Sequence, residues 1–431
     1  MQYLLTLFNP MLEEWFTIFR NVSIILANLM LLKYFIFMVV SPFYTLKEES
    51  RKLRILKHRE RTYLPKISIL VPAWNEEVGI LNTVRSVLDN TYENIELIVI
   101  NDGSDDGSDK VMKDFKKEEY RQKSKKEWKN KELKYFFKVR EGKGSALNFA
   151  LKKATGSIIM TIDADSTLKN DAVANLVKYY ADNSVDGVVG NVIVANNKSI
   201  MGITQYLEYL FGFYFKRAHA VLGAEYIFGG ACASFRSSVF REIGVYDSDN
   251  KTEDIEFTMR FRYFGYNCTY AEDVICYTEG ASEVLGLVRQ RLRWKKGRID
   301  TFAKYRRMFF SRDKRHKKTL THFILPFSLL SEVQTFFEPI SIALLLAYSF
   351  ISMDFISIAF GILFIFVIYF ITAIFNGKRI NVGLLLLFPG TWVLFYFLVW
   401  VEFNALISTI VLTIKGEEVT WQRWERKGIN S

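Results

Sequence analysis

Apolar residues fall into two regimes along this chain. From Val22 to Tyr44, and again from Ser331 to Ile414, they form long runs, whereas between about Lys47 and Arg315 they recur in short runs and at helical spacing. The pattern predicts membrane, soluble domain, membrane, with divisions at 1–46, 47–315, 316–414 and 415–431. Val22 to Tyr44 is about the ~20 residues needed to cross a bilayer, and Lys33 inside it should face protein rather than lipid. Further spans are expected near Ser331–Phe350, Phe355–Phe375 and Leu384–Thr413. One span before the domain and three after would put the tail Lys415–Ser431 outside, although it carries Lys415, Arg423, Arg426 and Lys427. Either Leu384–Thr413, broken at Pro389-Gly390, forms a hairpin, or an extra re-entrant or interfacial element lies near His322–Ser331. Residues Met1–Glu14, interrupted by Asn9-Pro10, lack the charged start and cleavage site of a signal peptide and are expected at the interface.

Inside the domain the periods change. Lys66–Ala73 reads as a buried strand, and Asn75–Asp89 as a helix with Val78, Leu81, Val84 and Leu88 on one face. Glu96–Asn101 reads as a second strand. Strand, helix, strand with short connections is a parallel βαβ unit, which puts Asn75, Glu76 and Asp102 together at the carboxyl ends of adjacent strands, where open α/β sheets bind ligands. Lys110–Lys134 mixes both charge signs densely and reads as a solvated helix, followed by a strand at Tyr135–Val139. Ser157–Ser166 is an apolar strand ending in Asp163 and Asp165. Gly187–Val194 and Ile227–Phe235 are further strands, the second with paired glycines where backbone can approach a ligand. Gly202–Leu222 is aromatic and amphipathic, and reads as core. Thr252 is a plausible N-cap for a helix running to Phe264, which would explain the acids of its first turn structurally. Gln290–Arg307 is basic and amphipathic, the pattern of a surface or membrane-interface helix.

Composition sharpens this. Half of the 431 residues are hydrophobic, with 37 Phe and 22 Tyr, too apolar and aromatic for an ordinary soluble enzyme. The net charge of +11 is explained without nucleic acid, because Lys47, Arg51, Lys52, Arg54, Lys57, Arg59 and Arg61 follow the first apolar run and place the domain in the cytoplasm by the positive-inside rule. Three cysteines, Cys232, Cys268 and Cys276, without a C-x-x-C, argue against disulfides or structural zinc and suit a reducing compartment. The four histidines form no zinc motif.

The candidate chemistry lies in the acids. Asp163 and Asp165, one residue apart at a strand end, suit a hard divalent cation that bridges protein to phosphate. Lys143, between Gly142 and Gly144, could approach a phosphate, though the pattern is not a P-loop.

In order along the chain stand Val71-Pro72-Ala73-Trp74-Asn75-Glu76, Asn101-Asp102-Gly103-Ser104, Asp163-Ala164-Asp165, Thr252-Glu253-Asp254 and Gln290-Arg291-Leu292-Arg293-Trp294. The series resembles the signature of membrane-embedded, processive family 2 glycosyltransferases, the group of cellulose, chitin, hyaluronan and poly-N-acetylglucosamine synthases. The likeness covers about Pro65 to Arg307, and the flanking spans fit it. It implies an α/β GT-A domain, a Rossmann-like mixed sheet in the cytoplasm of a multi-pass cell-membrane protein, flanked by transmembrane α-helices. It implies a UDP-sugar donor bound by Asn75, Glu76 and Asp102 at the uridine, and by Lys143, Asp163, Asp165 and Arg293 at the diphosphate, with Mg²⁺ or Mn²⁺ held by Asp163 and Asp165. Asp254 would be the general base. Glu253, Gln290, Trp294, Gly230 and Cys232 would face the acceptor, a growing glycan.

The terminal spans would form its exit channel, with polar groups such as Glu332, Gln334 and Glu338, and accessory membrane or export subunits are candidate partners. The QRLRW form favours poly-N-acetylglucosamine. Lys295-Lys296, where that group tends to have a small residue and Gln, departs from it in a way that bears on the sugar and not the chemistry. Nothing in the sequence after the spans resembles a cyclic-dinucleotide-binding domain, so regulation of that kind is expected to require a partner chain. Other readings remain: a synthase of glucan, chitin or hyaluronan type, a single-transfer enzyme acting on a lipid, as ceramide glucosyltransferases do, and a non-catalytic membrane scaffold or transporter subunit, against which the intact acids argue.

Overall fold

The computed structural model describes residues 10–58, 63–250, 252–376, 390–417 and 428. The α/β part of the chain is built on one eight-stranded mixed sheet in the order β3-β2-β1-β4-β7-β6-β8-β5, with β1 Ile67–Ala73, β2 Ile95–Asp102, β3 Lys131–Lys138, β4 Ile158–Thr161, β5 Ser166–Leu168, β6 Gly187–Val194, β7 Ala233–Arg236 and β8 Cys268–Thr278. Strands β1, β2, β3 and β4 run parallel, and β7 enters antiparallel to β4 and β6. Nearly every side chain of β1 and β2 is buried, because helices cover both faces of a parallel sheet and exclude water from each. That is why their sequences are continuous rather than alternating. One apolar layer carries Val71, Val84, Leu97 and Met160; the other carries Leu70, Ile98, Leu147, Phe235 and Phe257.

Several expected boundaries moved. The helix after β1 begins at Ile80 rather than Asn75, because Asn75 adopts φ 56° and the chain turns before it can wind. The charged stretch is not one helix. It runs as Ser108–Phe115, a wider turn at Lys116–Tyr120 and a short Arg121–Lys123 segment, and β3 starts at Lys131, four residues before Tyr135. The glycine pair Gly229-Gly230 lies before β7, with Gly230–Cys232 as a 3₁₀ turn. Strands β5 and β8 were not expected.

Among the described residues, three helices are long and apolar enough to cross a membrane, within Thr17–Val40, Thr319–Ser352 and Thr391–Lys415, and a fourth apolar helix runs Ile356–Asn376. Lys33 faces protein, donating to Ser331 Oγ at 2.8 Å. The stretch near His322–Ser331 continues directly into the Leu325–Ser352 helix rather than forming a separate element. The Pro389 break lies outside the described residues. Gly428 of the tail lies against the residue that follows β8, its N–H donating to Glu279 Oε2 at 3.2 Å.

Candidate active site

The parallel strands order themselves outward from β1 and β4, so the crevice beyond their carboxyl ends is the topological switch point where such sheets bind ligands. A cavity of about 680 Å³ opens there. Trp74 and Glu76 after β1, Asp102 at the end of β2, and Asp163 and Asp165 after β4 all line it. The Arg140 guanidinium lies over the Trp74 ring at 3.6 Å, giving the mouth a flat cationic and aromatic wall.

Asp102 is buried and receives Lys138 Nζ at 2.8 Å, Glu141 N–H at 3.2 Å and Gly142 N–H at 2.7 Å. It therefore ties the end of β2 to the loop that delivers Lys143. Lys143 reaches Asp163 Oδ1 at 2.6 Å and Glu253 at 3.3 Å. Burial pushes its ammonium pKa down, but Asp163, Glu253 and Asp254 more than reverse this and hold it well above the ordinary lysine range. Burial raises the Glu253 carboxyl, with Lys143 opposing.

Gly230 sits at the centre of this group. A Cβ there would stand 2.7 Å from Lys143 Nζ and 3.5 Å from both Asp163 Oδ1 and Asp254 Oδ2, so only glycine leaves the space open. Its N–H donates to Asp254 Oδ2 at 2.8 Å, while Asp254 Oδ1 accepts from Ile255 N–H at 2.9 Å. Both carboxylate oxygens are thus oriented by backbone at the start of the Glu253–Tyr263 helix.

Asp165 Oδ1 accepts from Ser166 Oγ at 2.9 Å. Among the described residues no group of three His, Cys, Asp or Glu could hold a metal unaided. Two cavity-lining carboxylates nevertheless fit Mg²⁺ or Mn²⁺, hard ions that take few protein ligands and complete their shell with water and phosphate oxygens. The fit is of donor type, and it calls for a phosphate-bearing ligand.

The Val284–Lys304 helix closes the far side, contributing Gln290, Arg293 and Trp294. The Gln290 amide oxygen is buried without a hydrogen-bond partner among the described residues, an acceptor suited to a ligand hydroxyl. Arg291 stacks on the Trp294 ring at 4.5 Å.

Two expected site residues are not on the cavity wall. Asn75 turns away and bridges the loops, donating to Asp105 through its amide nitrogen and accepting Asp105 N–H at 2.9 Å. Cys232 packs in the core near Val274, because the turn into β7 points it to the sheet side while Gly230 and Ala231 face the cavity. Thr252 precedes its helix but makes no side-chain cap bond; its hydroxyl donates to Asn250 Oδ1 at 3.2 Å. Gln334 and Glu338 also lie off the cavity wall, and Glu332 is engaged by Lys295 at 2.9 Å.

Conversely, Tyr209, Phe213 and Lys216 of the Ile200–Leu222 helix, which read as core, line the cavity, as do Glu279 and Glu402. Glu402 carried a usable signal, an acid inside an apolar run.

Comparison with known proteins agrees with this geometry. The model for glycosyl transferase family 2 matches residues 68–244, and that for glycosyl transferase family group 2 matches residues 158–410. A poly-beta-1,6-N-acetyl-D-glucosamine synthase from Staphylococcus epidermidis is 28% identical over 90% of this chain and 94% of its own length. A second, from strain ATCC 35984 of that species, is 30% identical over 59% of this chain, the match spanning 60% of that relative. The mannosyltransferase PcManGT from Pyrobaculum calidifontis, solved with GDP-Man and Mn2+, superposes with a TM-score of 0.55 at 20% identity, over 89% of this chain and all of that one, a likeness of fold. With a mixed GT-A sheet, long apolar helices and a family model spanning more than half its length, the chain belongs to the membrane-associated family 2 glycosyltransferases.

Proposed function

We propose that this glycosyltransferase is an inverting, processive synthase that polymerises β-linked N-acetylglucosamine from UDP-N-acetylglucosamine and passes the product across the membrane, its catalytic domain in the cytoplasm. The observation that carries the reading is the continuity of one cavity from Glu76 and Asp102, past Lys143, Asp163 and Asp254, to Trp294 and Glu402 of an apolar helix. The name of the relative aligned over 90% of the chain supports the sugar. The basic cluster after the first apolar helix supports the cytoplasmic placement.

In this reading Glu76 and Asp102 hold the uridine, and Asn75 braces them from behind. Lys143 and Arg293 oppose the charge that grows on the leaving diphosphate. A divalent ion held by Asp163 and Asp165 would add charge neutralisation there. The acceptor hydroxyl oxygen attacks the anomeric carbon and its proton passes to Asp254. The bond from that carbon to the phosphate oxygen breaks, and UDP leaves with the electron pair. A single displacement inverts the centre, so an α-linked donor gives a β-linked product. Trp294 offers an indole face for the acceptor ring.

The test is purification in detergent and incubation with a panel of UDP-sugars plus Mg²⁺ or Mn²⁺, followed by linkage-specific glycosidases. A ladder made from UDP-N-acetylglucosamine supports the reading. A single lipid-linked product, or transfer only from another donor, overturns it.

A further inference from the structure

One face of the Val284–Lys304 helix is spent on charge. Arg291, Lys295 and Arg298 are spaced four and three residues apart, so they form a stripe. Each meets a carboxylate from a different helix. Arg291 grips Glu208 of the Ile200–Leu222 helix through two bonds, at 2.7 and 2.6 Å. Lys295 Nζ lies 2.6 Å from Glu402 of the Thr391–Lys415 helix and 2.9 Å from Glu332 of the Leu325–Ser352 helix. Arg298 closes the row on Glu332. Three cations and three anions leave the cluster neutral. Lys295 stands at its middle, its side chain only 3% exposed, and it alone of the three touches both terminal membrane helices at under 3 Å.

A buried ion pair contributes little net stability over apolar packing, but sliding this helix along its neighbours would leave Lys295 and Glu332, both almost fully buried, without their partners, which is costly. The residue fixed by this register is next in sequence: Trp294 adjoins Lys295, and Gln290 and Arg293 lie within two turns. The helix is pinned on its other side too, where Gly297 packs so closely on Thr252 that a Cβ would overlap the threonine side chain. A lateral clamp on Thr252, at the start of the helix that carries Asp254, and an ionic clamp on the membrane helices thus bracket the acceptor side of the cavity.

We propose that Lys295 is a positioning residue: bridging Glu332 and Glu402, it sets the register of the helix bearing Gln290, Arg293 and Trp294 against the membrane helices, and so aligns the acceptor with Asp254. The kinetic consequence rests on the synthase reading above; the structural consequence does not.

The experiment uses the full chain in detergent, with spin labels at Asp300→Cys and Ile414→Cys, both exposed positions, and compares Lys295, Lys295→Met and Lys295→Arg. With Lys295→Met the inter-label distance distribution should broaden, kcat for polymer formation from UDP-N-acetylglucosamine should fall at least about tenfold, and donor KM should change by less than about twofold. Lys295→Arg should restore both the distribution and the rate. A loss of rate with an unchanged distance distribution would mean that Lys295 touches substrate directly, and an undisturbed rate and distribution would remove it from the machinery; either overturns the proposal. If the unsubstituted protein transfers no sugar from that donor, the synthase reading fails separately, and the distance measurement alone decides the positioning role.

Discussion

Gly297 lies against Thr252, with no room between them for a methyl group. The contact joins two sequence segments that share no strand or loop, the helix that carries Trp294 and the start of the helix that carries Asp254. Gly297→Ala should therefore push the base away from the acceptor wall. A misplacement of about an ångström costs on the order of a hundredfold in rate, so kcat should fall by about that much while the folded protein persists. Steady-state transfer measured beside a thermal melt checks this. A variant with full activity would break the link between the two segments.

Asp254→Asn keeps one side-chain oxygen for the Gly230 N–H, gives up the acceptor for the Ile255 N–H, and removes the proton acceptor. Transfer should drop by about 10³-fold or more, while UDP binding, read by calorimetry, stays within a few-fold. Unchanged turnover would refute the base assignment.

Asp163 and Asp165 divide their work with Lys143. Asp165→Asn should weaken donor binding and raise the Mg²⁺ or Mn²⁺ concentration needed for half-maximal activity by about tenfold. Removing the metal with a chelator should abolish transfer by the parent enzyme, with recovery on re-addition. An enzyme indifferent to the chelator would exclude the metal role.

Glu96 offers a pH test far from the chemistry. It lies fully buried on β2. Burial pushes its carboxyl up, but Lys134, Ser68 and Thr155 bind the charged form and bring its pKa down to about 2. Its folded-state pKa thus lies below the ordinary 4.5. Its contribution to stability is then full above that ordinary value and is lost as pH falls towards 2. Glu96→Gln should destabilise the domain by about 3 kcal/mol near neutrality and flatten the acid limb of the melting-temperature profile. An unaltered limb would show that other carboxylates govern it.

The opening strands were legible because apolar β-branched runs such as Ile67–Val71 and Ile95–Ile100 can be satisfied only inside a sheet covered on both faces. The acids at their ends were legible for the same reason, since a strand delivers its last residues to the rim. Strand β8 was not, because Cys268–Thr278 mixes Glu272 and Asp273 into its run and its pairing with β6 is interrupted by an irregularity at Gly190/Asn191. Cys232 and Gly230 are two residues apart in an unbroken small-residue run, and no periodicity tells which of them faces the cavity; the 3₁₀ turn before β7 does.

The sequence by itself determined the architecture of long apolar helices around an α/β domain, the order of its acid motifs and the family they resemble, because these depend on local period and spacing. Only the tertiary structure decided that Asn75 braces rather than lines the cavity, that Gly230 lies against Lys143, Asp163 and Asp254, and that Lys295 is clamped by Glu332 and Glu402. Those facts depend on which distant segments pack together, and in this chain the partners lie from tens to more than a hundred residues away.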